Sequence, residues 1–212
     1  MAGSYKTGGA KPTYRRAVEQ WIALVVFSFV SSVTPGPNNI LLWASGASFG
    51  LRRTLPHVVG TALGLGGMAL AAAAGSSAVL AAVPDLATAM KLGGSAYLVY
   101  LAVQIIRSGA SERAALARPL GLVGGAGFQW LNPKAWIFAL GAVTTFRLPD
   151  LPAVVGSAFV ALTMMLVIVP TALLWAGAGG ALERFVTSPR ARRAVSLSLA
   201  GLLVATIALV WI

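Results

Sequence analysis

Cysteine is absent from this sequence, histidine occurs once, and only five of the 212 residues are acidic. Without cysteine there is no disulfide framework, no thiol nucleophile and no thiolate metal site. One histidine and five carboxylates leave little material for a hydrolase or a metalloenzyme, so neither a cofactor nor a metal is expected. Charge is scarce altogether: Asp, Glu, Lys and Arg make up 10% of the chain, against about 25% in an ordinary soluble domain. Apolar residues take their place, at 58% of the sequence, with a mean hydropathy of +0.83. A soluble fold of this length has too little interior for that surface, whereas lipid solvates Leu, Val and Ala on every side of a helix. The composition reads as an integral membrane protein. The formal net charge of +11 does not point to nucleic acid, because the basic residues fall between apolar stretches rather than in one patch. Loops facing anionic lipid account for them.

A spanning helix needs roughly 20 mostly apolar residues, and six stretches qualify: about 20–43, 55–83, 87–107, 121–146, 153–180 and 194–212. Continuous apolar runs, rather than alternating ones, favour helices over a β-barrel. The expected fold is an all-α integral membrane protein with six transmembrane helices. Residues 1–19 read as a disordered basic tail. The apolar stretch from Trp21 resembles a signal-peptide core but has no small-x-small cleavage site at its end, so it reads as a retained helix. Residues 20–212 then form one transporter domain. Loops one–two, three–four and five–six hold nine basic residues, against six on the opposite face including four in the tail. That tally puts the three loops in the cytoplasm and both termini outside, although the basic tail pulls the other way.

The loop from Arg107 to Pro119 divides the chain into two groups of three helices, 20–107 and 121–212, joined by a cytoplasmic linker at 108–120. Three is odd, so similar halves sit upside down relative to each other, as in inverted-repeat transporters. Helices one and four, the first of each half, are both interrupted. Ser32-Val33-Thr34-Pro35-Gly36-Pro37-Asn38-Asn39 lies inside the first apolar run and Gln129-Trp130-Leu131-Asn132-Pro133-Lys134 inside the fourth. Trp21 to Thr34 covers about 20 Å and Gly121 to Asn132 about 16 Å of helix, which puts both breaks within a hydrocarbon layer about 30 Å thick. Proline removes a backbone donor. Pro35, Pro37 and Pro133 are expected to free the carbonyls of Ser31, Val33 and Gln129, and each restarted helix to present bare N–H groups near Asn38–Ile40 and Lys134–Trp136. Bare N–H groups at a helix start attract a carboxylate, and freed carbonyls attract an ammonium group. An α-amino acid carries both. Proline kinks are common in membrane helices and often only structural, but two Asn-flanked breaks at matching positions favour a site. The candidate binding residues are Thr34, Pro35, Gly36, Pro37, Asn38, Asn39, Gln129, Asn132, Pro133 and Lys134.

A Lys inside an apolar run costs about 2.5–3.5 kcal/mol on insertion scales. Lys134 therefore faces a cavity or a partner, as the attractor of a substrate carboxylate or as a carrier of a proton, or else snorkels to an interface or pairs with backbone carbonyls. No Asp or Glu lies clearly inside a span, so the candidates for proton coupling are His57, Asp85 and Lys134; a helix-end His57 bonded to a carbonyl or water is the plainer reading. Gly60 and Gly64 form a GxxxG pair suited to helix packing. Gly177, Gly179 and Gly180 are expected to loosen the end of helix five. Trp21 and Trp43 read as interfacial anchors. Trp130 and Trp136 either wall a substrate cavity or pack against lipid or core.

Thr34-Pro35-Gly36-Pro37-Asn38, followed by Gly46, Gly50, Gly60 and Gly64, resembles the signature of the LysE/RhtB family of amino-acid exporters. Asn132-Pro133-Lys134-Ala135 resembles that family's second signature, the segment Lys91 to Leu98 its third helix, and Gly201-Leu202-Leu203 its last. The likeness spans about residues 20–212, and the polar tail departs from it. Membership implies six helices in the bacterial cytoplasmic membrane and efflux of amino acids or their derivatives, driven by the proton gradient. The expected partners are a zwitterionic small molecule, protons and the bilayer, with a homo-oligomer left open. Small neutral or aliphatic amino acids are the favoured cargo, because no intramembrane acid is present to hold a cationic side chain. The alternatives are a cation exporter of the same superfamily, and a membrane-embedded enzyme or accessory subunit on the same fold. For an enzyme, Ser31, Ser32, Thr34 and His57 are the only loose candidates, and no spacing links them.

Overall fold

The computed structural model describes residues 13–76, 118–146, 151–185 and 188–211, with scattered positions between 88 and 106. All regular structure among these residues is helical. Helix α1 (Thr13–Val33) opens with two polar turns, where Arg15 and Glu19 pair across one turn at 3.3 Å. Residues 13–19 are therefore helical rather than part of a disordered tail; residues 1–12 lie outside the described set. The helix stops at Val33 because neither Pro35 nor Pro37 offers an N–H to continue the ladder. Helix α2 (Pro37–Phe49) restarts with proline at its first position, where the missing N–H costs nothing.

Gly50 makes the turn into α3 (Leu51–Ala71) with φ at 79°, a conformation that side chains other than glycine rarely adopt. The segment Ala72–Ser76 that follows is kinked at Gly75, whose φ is 101°. Three further helices come after the sparsely described region: α4 (Leu122–Leu131), α5 (Pro133–Thr145) and α6 (Ala153–Phe185). Helix α7 (Pro189–Trp211) ends the chain. The expected third span at 87–107 and the linker at 108–120 fall largely outside the described residues, as does the segment Lys91 to Leu98.

Among the described residues three helical stretches are long and apolar enough to cross a bilayer: Arg15–Val33, Leu51–Gly75 and Ala153–Ala181. Their outer faces carry large apolar side chains with nothing packed over them, such as Val26 and Val30, Val59 and Leu63, Leu162 and Leu166. In water that surface would drive aggregation; in lipid it is solvated.

Helix directions follow from the contacts. The α1–α2 rod and α6 run the same way, since Ser31 and Ser32 line one pocket with Ile168 while Trp43 and Gly46 meet Gly179 and Ala176 further along. Helix α3 runs against α6, with Val58 clustered with Ala172 and Ala176 and Gly66 set against Met165. The α4–α5 rod runs against α1: Lys134 reaches Thr34, and Phe27 packs on Phe138 and Phe146. The main core lies between α3, α5 and α6, where Leu65, Met68, Ala139, Ala142 and Met164 are fully buried.

Two contacts are backbone-close. On α3, a Cβ at Gly60 would strike the Leu122 carbonyl of α4, one at Gly64 would meet the Ala126 carbonyl at 2.7 Å, and one at Gly125 of α4 would meet the His57 carbonyl at 2.7 Å. Gly46 of α2 and Gly179 of α6 press in the same way on Ala176 and Trp43. The GxxxG reading of Gly60 and Gly64 as packing surface holds. The expectation for Gly179 does not: α6 continues to Phe185, and this glycine seats α2 instead of loosening the helix. Trp43, expected at an interface, is buried in a cluster with Ile40, Leu41 and Phe128.

Candidate functional site

Both interruptions are real breaks in the helix ladder, and they are narrower than the proline pattern implies. The first comprises residues 34–36. Asn38 and Asn39 already belong to the first turn of α2, because the Ile40 amide closes on the Gly36 carbonyl at 3.0 Å. The second is the single residue Asn132, extended at φ −91° and ψ 107° between α4 and α5.

The two breaks border one open pocket. Six of the ten expected residues line it: Gly36, Asn38, Asn39, Gln129, Asn132 and Lys134. Thr34 and Pro35 do not line it, but their carbonyls accept from Lys134, which does. Pro37 and Pro133 do not line it; each starts a helix. Ser31, Ser32, Ala135, Phe138 and Ile168 also line the wall. Ser31 and Ser32 stood out in the sequence only as loose candidates for an enzyme, and nothing local marks Phe138 or Ile168, which arrive from other turns and another helix.

The carbonyls that side chains satisfy at the first break are those of Ser32, Thr34 and Pro35, rather than the expected Ser31 and Val33. Asn39 folds back over the gap, its Nδ2 donating to the Ser32 carbonyl at 2.7 Å and to the Thr34 carbonyl at 2.9 Å. Lys134 reaches over from the second break, Nζ donating to the Thr34 carbonyl at 2.6 Å and the Pro35 carbonyl at 3.3 Å. Gly36 makes room for it, since a Cβ there would sit 2.9 Å from Lys134 Cδ. The lysine therefore neither snorkels nor stays unpartnered: it ties one broken helix to the other.

At the second break two expectations fail. The Gln129 carbonyl is not free, because it accepts the Asn132 amide at 3.1 Å. The start of α5 is not bare either. Asn132 caps it, its Oδ1 accepting the Lys134 amide at 3.1 Å, while the Asn132 carbonyl takes the Ala135 amide at 3.0 Å. Asparagine at a helix start satisfies the very donors that proline logic leaves open. The start of α2 differs, because Gly36 supplies no side-chain cap. That leaves the Asn38 and Asn39 amides, at the positive end of the helix dipole, without a side-chain cap.

Behind Asn38 lies a buried polar cluster. His57 Nε2 donates to Asn38 Oδ1 at 3.2 Å, and Thr61 Oγ1 donates to the same oxygen at 3.3 Å. His57 and Thr61 are fully buried. His57 is thus no helix-end residue hydrogen-bonded to a carbonyl; it pins a pocket asparagine from the second helix. Thr61 carried no sequence signal. Asn38 Nδ2 and His57 Nδ1 are buried without a hydrogen-bond partner among the described residues. Asp85 lies outside those residues. Trp130 and Trp136 do not wall the pocket. They pack edge to face at 5.5 Å, with Trp136 Nε1 donating to the Trp130 carbonyl at 2.9 Å.

Among the pocket's described lining residues only Lys134 is charged, and no cluster of three His, Cys, Asp or Glu forms among the described residues. The chemistry on offer is one ammonium, side-chain amides, hydroxyls, backbone carbonyls and helix-start amides. Such a set grips a small polar molecule and offers no route to transform one.

The family model for the LysE type translocator matches residues 29–212, which takes in both breaks and every helix from the end of α1 onward. The chain belongs to the LysE type translocators. Curated relatives carry the name cysteine/O-acetylserine efflux protein. The one from Escherichia coli (strain K12) is 30% identical over 164 residues, covering 76% of this chain and 83% of the relative. The one from Klebsiella pneumoniae subsp. pneumoniae is 30% identical over 162 residues with the same coverage, and that from Salmonella typhimurium is 28% identical over 162. No solved structure matches. As a LysE type translocator the chain is a multi-pass membrane transporter of the amino-acid efflux class, and not an enzyme.

Proposed function

We propose that this translocator exports small neutral amino acids or their derivatives across the bacterial cytoplasmic membrane, and that the substrate is held between the two helix breaks. The observation that supports this most is the shared pocket: residues 34–39 and 129–134, about a hundred positions apart in sequence, border one open pocket lined by side-chain amides, serine hydroxyls and one ammonium group. The uncapped start of α2, with Asn38, is the seat for the carboxylate, and the carbonyls of Thr34 and Pro35 are the seat for the ammonium group. The names of the relatives accord with a small polar cargo. The absence of a carboxylate from the described lining argues against a cationic side chain or a metal ion.

The transporter has six spans in this reading: α1–α2, α3, the segment at 87–107, α4–α5, α6 and α7. The halves 20–107 and 121–212 are inverted repeats, which the opposed directions of the two broken rods support. Rocking of one half against the other exposes the pocket to each side in turn, and the proton gradient drives export. His57, behind Asn38, and Lys134, inside the pocket, are the titratable side chains best placed to couple to it, with Asp85 a third candidate.

The test is efflux from proteoliposomes loaded with labelled serine, cysteine and O-acetylserine, with and without a pH gradient. We expect gradient-stimulated efflux that is lost in Asn38→Ala, Asn132→Ala and Lys134→Ala at normal membrane levels. Wild-type rates in all three variants would remove the site.

A further inference from the structure

We infer that Lys134 is a stand-in for the substrate's own ammonium group and thereby sets which ligands the pocket accepts. The inference rests on the substrate site proposed above. Lys134 Nζ donates to the Thr34 and Pro35 carbonyls, at 2.6 and 3.3 Å. These carbonyls directly follow the end of α1, at the negative end of its dipole. They form the cation seat of the pocket, and with no substrate bound the protein fills that seat with its own cation. The gap at Gly36 makes the arrangement sterically possible, because a Cβ there would press on Lys134 Cδ and Nζ, at 2.9 and 3.1 Å.

Binding is then an exchange. An incoming amino acid brings an ammonium group for the carbonyls and a carboxylate for the displaced lysine. Each cationic group keeps an anionic or dipolar partner, and the net number of charge-assisted contacts rises. An amine without a carboxylate has to evict Lys134 and leave it unpaired inside the membrane, which is costly. A carboxylic acid without an amine draws Lys134 away and leaves the carbonyls bare. Lys134 therefore acts as a specificity-determining residue that admits zwitterions and rejects simple amines. The exchange also cuts the tie between the two broken helices, which links occupancy of the pocket to freedom of one half to move against the other.

The experiment uses the full-length chain in proteoliposomes and compares efflux of labelled serine with that of ethanolamine, the same molecule without its carboxylate. Wild type is expected to move serine and to ignore ethanolamine. In Lys134→Met the seat is empty and the carboxylate has lost its partner. Serine efflux is expected to fall by roughly 10- to 100-fold, the value of a charged hydrogen bond or two, while ethanolamine becomes a measurable substrate. Gly36→Ala is the second variant: it pushes the lysine off the carbonyls without removing its charge, and is expected to raise the ethanolamine-to-serine ratio. Loss of both substrates in Lys134→Met, with an unchanged ratio in Gly36→Ala, overturns the inference. So does a wild-type ratio in both variants. A wild type that moves none of serine, cysteine and O-acetylserine contradicts the substrate reading instead, and is distinguishable from either result.

Discussion

Asn39 makes the sharpest prediction about how a membrane helix survives a break. Its Nδ2 serves two carbonyls at once, Ser32 at 2.7 Å and Thr34 at 2.9 Å. In Asn39→Ala the Thr34 carbonyl keeps Lys134 as a donor and loses only one of two bonds, worth about 1 kcal/mol net. The Ser32 carbonyl is left without its side-chain donor, at about 1–3 kcal/mol for an unsatisfied buried acceptor. The total is about 2–4 kcal/mol, placed in the joint between α1 and α2. Asn39→Asp keeps the volume but turns an acceptor toward two acceptors, and is expected to be worse than alanine. Unfolding by SDS in mixed micelles, followed by circular dichroism, measures both. A change within about 0.5 kcal/mol, the range of an inconsequential surface substitution, for Asn39→Ala, or a milder effect for aspartate than for alanine, refutes the reasoning.

The remaining predictions concern the second break, the buried cluster and the glycine contacts. Asn132→Ala removes the cap on the Lys134 amide and should cost about 1 kcal/mol in the same assay, while Asn132→Ser or Asn132→Asp recovers most of it. His57→Ala and Thr61→Val each remove one donor to Asn38 Oδ1; each should raise KM for serine several-fold by freeing the amide to rotate, and the double variant should add little to the worse single one because both act on one oxygen. Gly60→Val drives a side chain into the Leu122 carbonyl, whereas Gly127→Ala meets nothing within 4 Å. The first should abolish monodisperse protein on size exclusion in detergent, and the second should elute as wild type.

How much of this was legible in the sequence depended on how local the cause was. Pro35, Pro37 and Pro133 stop helices by lacking an N–H, a property of the residue itself, so both breaks stood out without coordinates. The width of each break did not, because it depends on where the next helix nucleates: Pro37 is well suited to a first helical position, which draws Asn38 and Asn39 into α2. The bare helix start expected near Lys134–Trp136 failed because Asn132 serves simultaneously as the interruption and as the cap. His57 was misplaced for a different reason. Its distance from the chain's charged loop residues is short in sequence, but the close approach of α3 to α4 through Gly60, Gly64 and Gly125 buries that turn. The glycine spacing was visible as a packing surface, yet which helix it packed on is a tertiary fact. The same holds for Lys134: pairing with backbone carbonyls was one open reading of the sequence, but that these are the Thr34 and Pro35 carbonyls, a hundred residues earlier, was not legible.

The central claim is that an amino acid occupies the pocket between the two breaks. The chain has no cysteine, so single cysteines report without background. Ser32→Cys and Ala135→Cys place a thiol on opposite walls of the pocket, and Ser188→Cys places one on an exposed turn. Alkylation rates in proteoliposomes, with and without saturating serine, are the direct measurement. Serine should slow the reaction at Ser32→Cys and Ala135→Cys and leave Ser188→Cys unchanged. Equal rates with and without serine at both pocket positions, in a preparation that still exports serine, would place the substrate elsewhere.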